Sequence, residues 1–194
     1  MTAVEFLTYN APPICDADAL KYAGGAFSEE SVKLLQRVKE EAKDAFCYKV
    51  CYTVCDVCVD GVTVDFGFFK TESAALAKNL SGVKRAVIFA ATVGFEIDRL
   101  IMKHSRLSPS RALMLGALGA ERIEALCDAF CEDIKRVHGV CRPRFSAGYG
   151  DLSIEVQREI FKLLNPETKM GLTLTDSMLM SPTKSVTAFI GIGE

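Results

Sequence analysis

One stretch of this chain can join neither of its neighbours: Arg142-Pro143-Arg144-Phe145-Ser146-Ala147-Gly148-Tyr149-Gly150-Asp151. A proline and two glycines around a tyrosine break any helix, so the backbone must be an irregular loop, and its two arginines make it positive. On residues alone the loop reads equally as a binding element or as an exposed basic turn.

The flanking pattern is helical on both sides. Ser108-Pro109 opens a helix with proline at its first position, and the apolar spacing persists to Val137 before Gly139 ends it. Within it, Gly116-Ala117-Leu118-Gly119-Ala120 lacks bulky polar groups, so Gly116 and Gly119 predict a close-packed neighbour. Glu121, Glu124 and Asp128 follow at three- and four-residue spacing, which reads as a solvated acidic face unless Glu124 reaches into a ligand site. Beyond the loop, Asp151 to Leu164 has helical spacing, Asn165-Pro166 stops it, and Met170 to Met180 reads as a strand. Ser181-Pro182-Thr183-Lys184-Ser185-Val186 then closes a hairpin into a last strand.

Upstream, residues 1–15 alternate weakly and break at Pro12-Pro13, as an extended arm or edge strand would. Asp16 or Asp18 caps a short helix stopped by Gly24-Gly25, and Ser28 with Glu29 and Glu30 starts a longer one that runs to Phe46. From Cys47 to Phe69 the texture is that of strands, with Asp60-Gly61 as a hairpin turn and Val62, Val64, Phe66 and Phe68 alternating toward the core. A helix from Ser73 to Leu80 leads to a buried strand, Ala86 to Ala91. Thr92 then caps a helix from Phe95 to about Met102, with Gly94 allowing the turn. Hairpins outnumber strand-helix-strand units, so the expected class is α+β: a twisted, mainly antiparallel sheet flanked by helices.

Net charge of −2 and a pI near 5.8 argue against nucleic-acid binding. The N-terminus lacks the basic start and apolar stretch of a signal peptide, and the most apolar run, Ala112 to Ala120, is too short to span a bilayer. The expectation is a cytoplasmic protein without membrane contact, whose eight cysteines are reduced thiols. Cys127 and Cys131 read as a packed helix face, and His104 and His138 each fall near a helix C-terminus.

Cys51, Cys55 and Cys58 have the Cys-x3-Cys-x2-Cys spacing with which radical S-adenosylmethionine enzymes hold a [4Fe-4S] cluster. In a strand, however, Cys51 and Cys55 share one face and Cys58 takes the other, so the expectation is buried thiols, with a cluster as the alternative.

The C-terminal third resembles a known family. Arg144, Gly148 and Tyr149 match the Arg-x3-Gly-Tyr motif of the activation (reactivation) domain of cobalamin-dependent methionine synthase. Matching blocks follow in order: Ile160 to Leu164, Gly171 to Ser177, Met180, Pro182 and Ser185-Val186. The whole chain, 1–194, is similar to a free-standing short form of that domain. The resemblance implies S-adenosylmethionine as cofactor and cobalamin carried by a partner chain, the cobalamin-binding methionine synthase subunit. It also implies a flavodoxin-like electron donor and a role in reactivating the enzyme after its cobalt has drifted to cob(II). By the same resemblance, Arg144 pairs with the cofactor's α-carboxylate, Gly148 lets the backbone approach and Tyr149 supplies a wall and a hydroxyl. Backbone at Phe145, Ser146 and Ala147 would hold the adenine edge, and Glu124 would reach in from the long helix. The alternatives are a radical enzyme using Cys51, Cys55 and Cys58, and a non-catalytic docking module for a corrinoid protein.

Overall fold

The computed structural model describes residues 3–25 and 27–193, so both ends of the expected 1–194 domain lie outside the described residues. In chain order the elements are β1 (Glu5–Tyr9), α1 (Asp16–Tyr22), α2 (Glu29–Glu41), β2 (Tyr48–Asp56), β3 (Cys58–Asp60), β4 (Thr63–Asp65), β5 (Lys70–Glu72), α3 (Ala74–Asn79) and β6 (Arg85–Thr92). There follow α4 (Glu96–Ser105), α5 (Pro109–His138), α6 (Val156–Leu164), α7 (Pro166–Met170), β7 (Thr173–Leu174), β8 (Met180–Ser181) and β9 (Ser185–Ile192).

The frame is a four-stranded antiparallel sheet in the order β1-β2-β6-β9. Side chains alternate across a strand, so β6 sends Val87, Phe89 and Ala91 to one face and Ala86, Ile88 and Ala90 to the other. All six are fully buried, because helices and loops cover both faces. On the first face α1, α2, α4 and α5 close a core in which Phe130 of α5 packs 4.9 Å from Phe89 and 5.2 Å from Tyr52 between ring centroids. The second core holds α3, α6, the small sheet β3-β4-β5 and Phe66, which stacks 4.9 Å from Phe189. This is the α+β class with a mainly antiparallel sheet that the pattern predicts. No helix among the described residues is long and apolar enough to cross a membrane.

Several local expectations are corrected. The alternation through Phe68 breaks because β4 ends at Asp65, whose carboxylate accepts the Gly67 amide at 2.8 Å; the resulting turn sends Phe66 and Phe69 inward and leaves Phe68 exposed, and Val62, in the hairpin turn before β4, is exposed as well. Thr92 does not cap α4: its hydroxyl accepts the Gly94 amide at 3.2 Å, and Ser185 Oγ lies 2.8 Å away. Residues 181–183 do not turn a hairpin between β8 and β9. β8 pairs with β7, and the connection to β9 is held by Asp98 of α4, which accepts from the Thr183 amide at 2.7 Å and its hydroxyl at 2.6 Å. Of the two glycines expected in a tight contact, Gly119 has one, since a Cβ there would meet Lys184 Cγ at 3.0 Å and Ile97 Cγ1 at 3.3 Å, whereas Gly116 faces open space.

The expected solvated acidic face of α5 also fails at its first member. Glu121 is buried beside Arg122, which is itself 1% exposed. Arg122 donates to Glu121 Oε2 and Oε1 at 2.5 Å each, to Pro12 O at 2.5 Å and to Pro13 O at 2.7 Å, while Glu121 Oε1 accepts the Cys15 amide at 3.0 Å. Proline has no amide hydrogen, and Arg122 satisfies the two carbonyls of the Pro12-Pro13 break that ladder pairing cannot reach. The arm between β1 and α1 is thus bolted to the middle of α5. Removing one member of such a pair strands the other charge in a dry site, so Arg122→Ala should cost about 3–5 kcal/mol in urea unfolding. An unfolding free energy lowered by less than a fifth of that would contradict the bolt.

Candidate functional site

After α5 the chain reverses and runs back along β9. Gly193 N donates to Val140 O at 2.9 Å, Arg142 N to Gly191 O at 2.9 Å and Phe145 N to Phe189 O at 2.9 Å, and Phe189 N returns a bond to Phe145 O at 2.8 Å. Residues 140–145 therefore act as a fifth strand covering the sheet edge, as the isolated bridges Cys141↔Ile192 and Phe145↔Phe189 record. Pairing fixes facing. Phe145 drops into the second core, and Arg144, its neighbour in an extended chain, turns to the opposite side toward α5.

There Arg144 meets two carboxylates one helical turn apart. Its Nη1 donates to Asp128 Oδ1 at 2.6 Å and its Nη2 to Glu124 Oε2. The arginine side chain is 24% exposed, Glu124 40% and Asp128 73%, so the pairing is graded from half-buried to solvated. Burial works against the guanidinium charge, but the Glu124 and Asp128 carboxylates more than offset it and hold the group charged above its usual range. Nearby, burial and then the Glu124 carboxylate push the Tyr22 hydroxyl of α1 upward.

The rest of the loop is a compact turn. Gly148 N donates to Leu152 O at 3.0 Å, Tyr149 N to Ser146 O at 3.2 Å and Leu152 N to Tyr149 O at 3.1 Å. Gly148 takes φ +84, a left-handed conformation that favours glycine, while a Cβ there would meet only the movable end of the exposed Ile154 side chain, Cδ1 at 2.9 Å. Tyr149 is 69% exposed and meets Phe145 edge-on at 5.4 Å. Asp151 ties the turn to α3: its carboxylate accepts from Ser73 Oγ at 2.5 Å, Ala74 N at 2.7 Å and Ala75 N at 3.1 Å, contacts that hold its carboxyl below the usual range, the Ser73 bond most of all. Asp151 thus serves α3, and α6 begins at Val156, later than the pattern predicts.

Of the expected site residues, the structure joins Arg144 with Glu124, which lie 20 positions apart in the chain. Ser146, Ala147, Gly148 and Tyr149 form the adjoining turn, and Tyr149 packs on Phe145 instead of approaching Arg144. Sequence reasoning passed over Asp128 as a partner of Arg144, although its four-residue spacing from Glu124 carried the signal. Arg142, the loop's other arginine, donates to Ser81 O at 3.0 Å and packs its stem on Gly191. An open cleft of about 560 Å³ lies beside Arg144, lined by Asp128, Cys131, Lys135, Cys141 and Ile190 among others.

The cysteine triplet does not fit a cluster. Cys51 and Cys55 point into the second core, where burial pushes both thiols up to about 12, while Cys58 is exposed on β3 in a different sheet. Thiols held protonated are poor iron ligands. Among the described residues, no group of three or more His, Cys, Asp or Glu side chains is placed to hold a metal ion.

Residues 75–193 match the family model described as vitamin B12 dependent methionine synthase, activation domain. That span is well over half the chain, so the chain belongs to this family. A solved structure described as the MetH reactivation domain bound to AdoHcy superimposes with a TM-score of 0.76 at 15% identity, over 98% of this chain and 78% of that one. At that identity the likeness establishes the shared fold. A search of curated protein sequences finds no relative.

If Asp151 is the loop's anchor, Asp151→Ala should speed deuterium exchange at the Ala74 and Ala75 amides and at the turn 146–150, while α5 stays protected. Unchanged exchange at both places would contradict the anchoring.

Proposed function

We propose that this chain binds S-adenosylmethionine and supports the reductive methylation of cob(II)alamin on a corrinoid methyltransferase, in the manner of a methionine synthase activation component, with 1–194 acting as one domain. The observation that carries the reading is the half-buried Arg144 guanidinium, kept charged beside Glu124 on the loop bearing Arg144, Gly148 and Tyr149. A cofactor ending in an amino acid zwitterion requires one fork for a carboxylate and one acid for an ammonium, and Arg144 with Glu124 is that donor set.

In this reading Arg144 exchanges a carboxylate of α5 for that of the cofactor, Glu124 stays to meet the ammonium, and Tyr149 offers its exposed ring as a wall. Gly148 keeps the turn free of a Cβ, and the backbone at Ser146 and Ala147 stands ready for the adenine edge. When bound, the cofactor supplies a sulfonium-activated methyl group, so the chain needs no nucleophile or general acid of its own; its contribution is orientation. The cobalamin, on a partner chain, is substrate: one electron from a flavodoxin-like donor together with the methyl group converts cob(II)alamin to methylcobalamin. The chain is then cytoplasmic and works against a cobalamin-binding subunit. The solved relative carrying AdoHcy, the demethylated product of such a cofactor, supports the reading.

The test is calorimetric titration of S-adenosylmethionine into the wild type, Arg144→Ala and Arg144→Lys. Loss of a charge-paired anchor predicts affinity lower by about 30-fold or more for the alanine variant, with lysine restoring little because it lacks the planar fork. Equal binding by all three overturns the assignment of Arg144. Absence of binding by the wild type favours a docking module that needs its partner.

A further inference from the structure

Thr183 and Lys184 lie between β8 and β9, and the two neighbours are held differently. Asp98 of α4, 7% exposed, gives both carboxylate oxygens to Thr183, whose amide donates at 2.7 Å and hydroxyl at 2.6 Å. Lys184 turns toward α5, its carbonyl accepting the Val93 amide at 3.1 Å. Its stem lies along Gly119: a Cβ there would meet Lys184 Cγ at 3.0 Å and Cε at 3.1 Å, with Ile97 Cγ1 at 3.3 Å closing the slot. Glycine at 119 leaves the room that the lysine fills. The side chain is half-buried, and among the described residues no hydrogen bond or ion pair holds its ammonium, an exception to the rule that a charge leaving water is paired. Burial draws that ammonium below the usual lysine range, and Asp98, the one charged side chain among the described residues that acts on it, offsets this only in part. The exposed Lys43, Lys70 and Lys135 show the reverse: hydrogen bonds to Glu40, Asp65 and Glu132 hold their ammonium groups above that range.

We infer that Lys184, seated on Gly119 without a counter-ion, is a nucleophilic lysine and the preferred site on this chain for acylation by a small activated acyl donor of the acyl phosphate class. The neutral amine is the reactive form, and the slot favours it by giving the charged form neither full hydration nor a carboxylate. In the step, the Lys184 nitrogen attacks the acyl carbon. The N–C bond forms, the bond from that carbon to the phosphate oxygen breaks, phosphate leaves with the electron pair, and the nitrogen's proton passes to solvent. The product is an uncharged amide, so acylation removes the unpaired charge from the slot. The inference stands apart from the proposed function, since Arg144, Glu124 and the turn at Ser146 to Tyr149 take no part in it.

The experiment treats the intact protein with limiting acetyl phosphate over a range of pH, blocks the remaining lysines with deuterated acetic anhydride after denaturation, and reads the acetylated fraction of each lysine by peptide mass spectrometry. Near neutral pH the expected rate at Lys184 exceeds those at Lys43, Lys70 and Lys135 by about fivefold or more, and the advantage shrinks as alkaline pH neutralises every lysine. In concentrated urea, where the slot is gone, the advantage should vanish. A rate at Lys184 equal to or below those of the exposed lysines overturns the inference, as does an advantage that persists in urea. Gly119→Ala places a Cβ against the lysine stem and lifts it from the slot, so a folded variant should acetylate Lys184 no faster than its exposed lysines; an undiminished advantage there overturns the role of the slot. If that variant fails to fold, the wild-type pH profile and the urea comparison still decide.

Discussion

The pairing of residues 140–145 with β9 decides what this molecule can present to a ligand. Four backbone hydrogen bonds set the register, and the register decides facing: one residue's slip would send Arg144 into the second core and Phe145 toward α5. A guanidinium cannot enter an apolar core unpaired, and a phenylalanine gains nothing against Glu124 and Asp128. Both cores therefore enforce the same register. The ion pairs of Arg144 are the result of that pairing.

Around this edge the remaining anchors serve one geometry. Asp151 holds the turn to α3, and Arg142 braces the returning segment against Ser81 and Gly191. At the other side of the sheet, Arg122 and Glu121 fasten the Pro12-Pro13 arm to α5, the helix that supplies Glu124 and Asp128. Polar groups with buried or half-buried partners recur wherever an irregular segment meets a helix, because such segments leave backbone groups that regular structure cannot satisfy. The family to which the chain belongs is recognisable in the loop; the supports that make the loop rigid are dispersed through the chain.

Much of this was legible in the sequence. The long helix from Ser108-Pro109, the hairpin at Asp60-Gly61, the buried strand through Ala86 to Ala91 and the loop after Gly139 all carry local signals, and the motif at Arg144, Gly148 and Tyr149 pointed to the family. What stayed hidden was tertiary. Nothing near Arg122 in sequence announces that it serves carbonyls 110 and 109 positions away, and nothing near Asp151 announces Ser73. The alternation through Phe68 misled because a single side-chain bond, Asp65 to Gly67, ended the strand before the pattern did. The strand texture already set Cys58 apart from Cys51 and Cys55 and predicted buried thiols; Cys51 and Cys55 are buried, while Cys58, after the change of sheet beyond Asp56, is exposed.

In the proposed function Arg144 exchanges an internal carboxylate for that of a bound cofactor. A crystal structure of the protein with S-adenosylmethionine tests it most directly. The expected result is the cofactor's α-carboxylate on the Arg144 fork, its ammonium at Glu124 and its ring system against the turn at Ser146 to Tyr149. A cofactor seated elsewhere, with Arg144 still held by both Glu124 and Asp128, would contradict it.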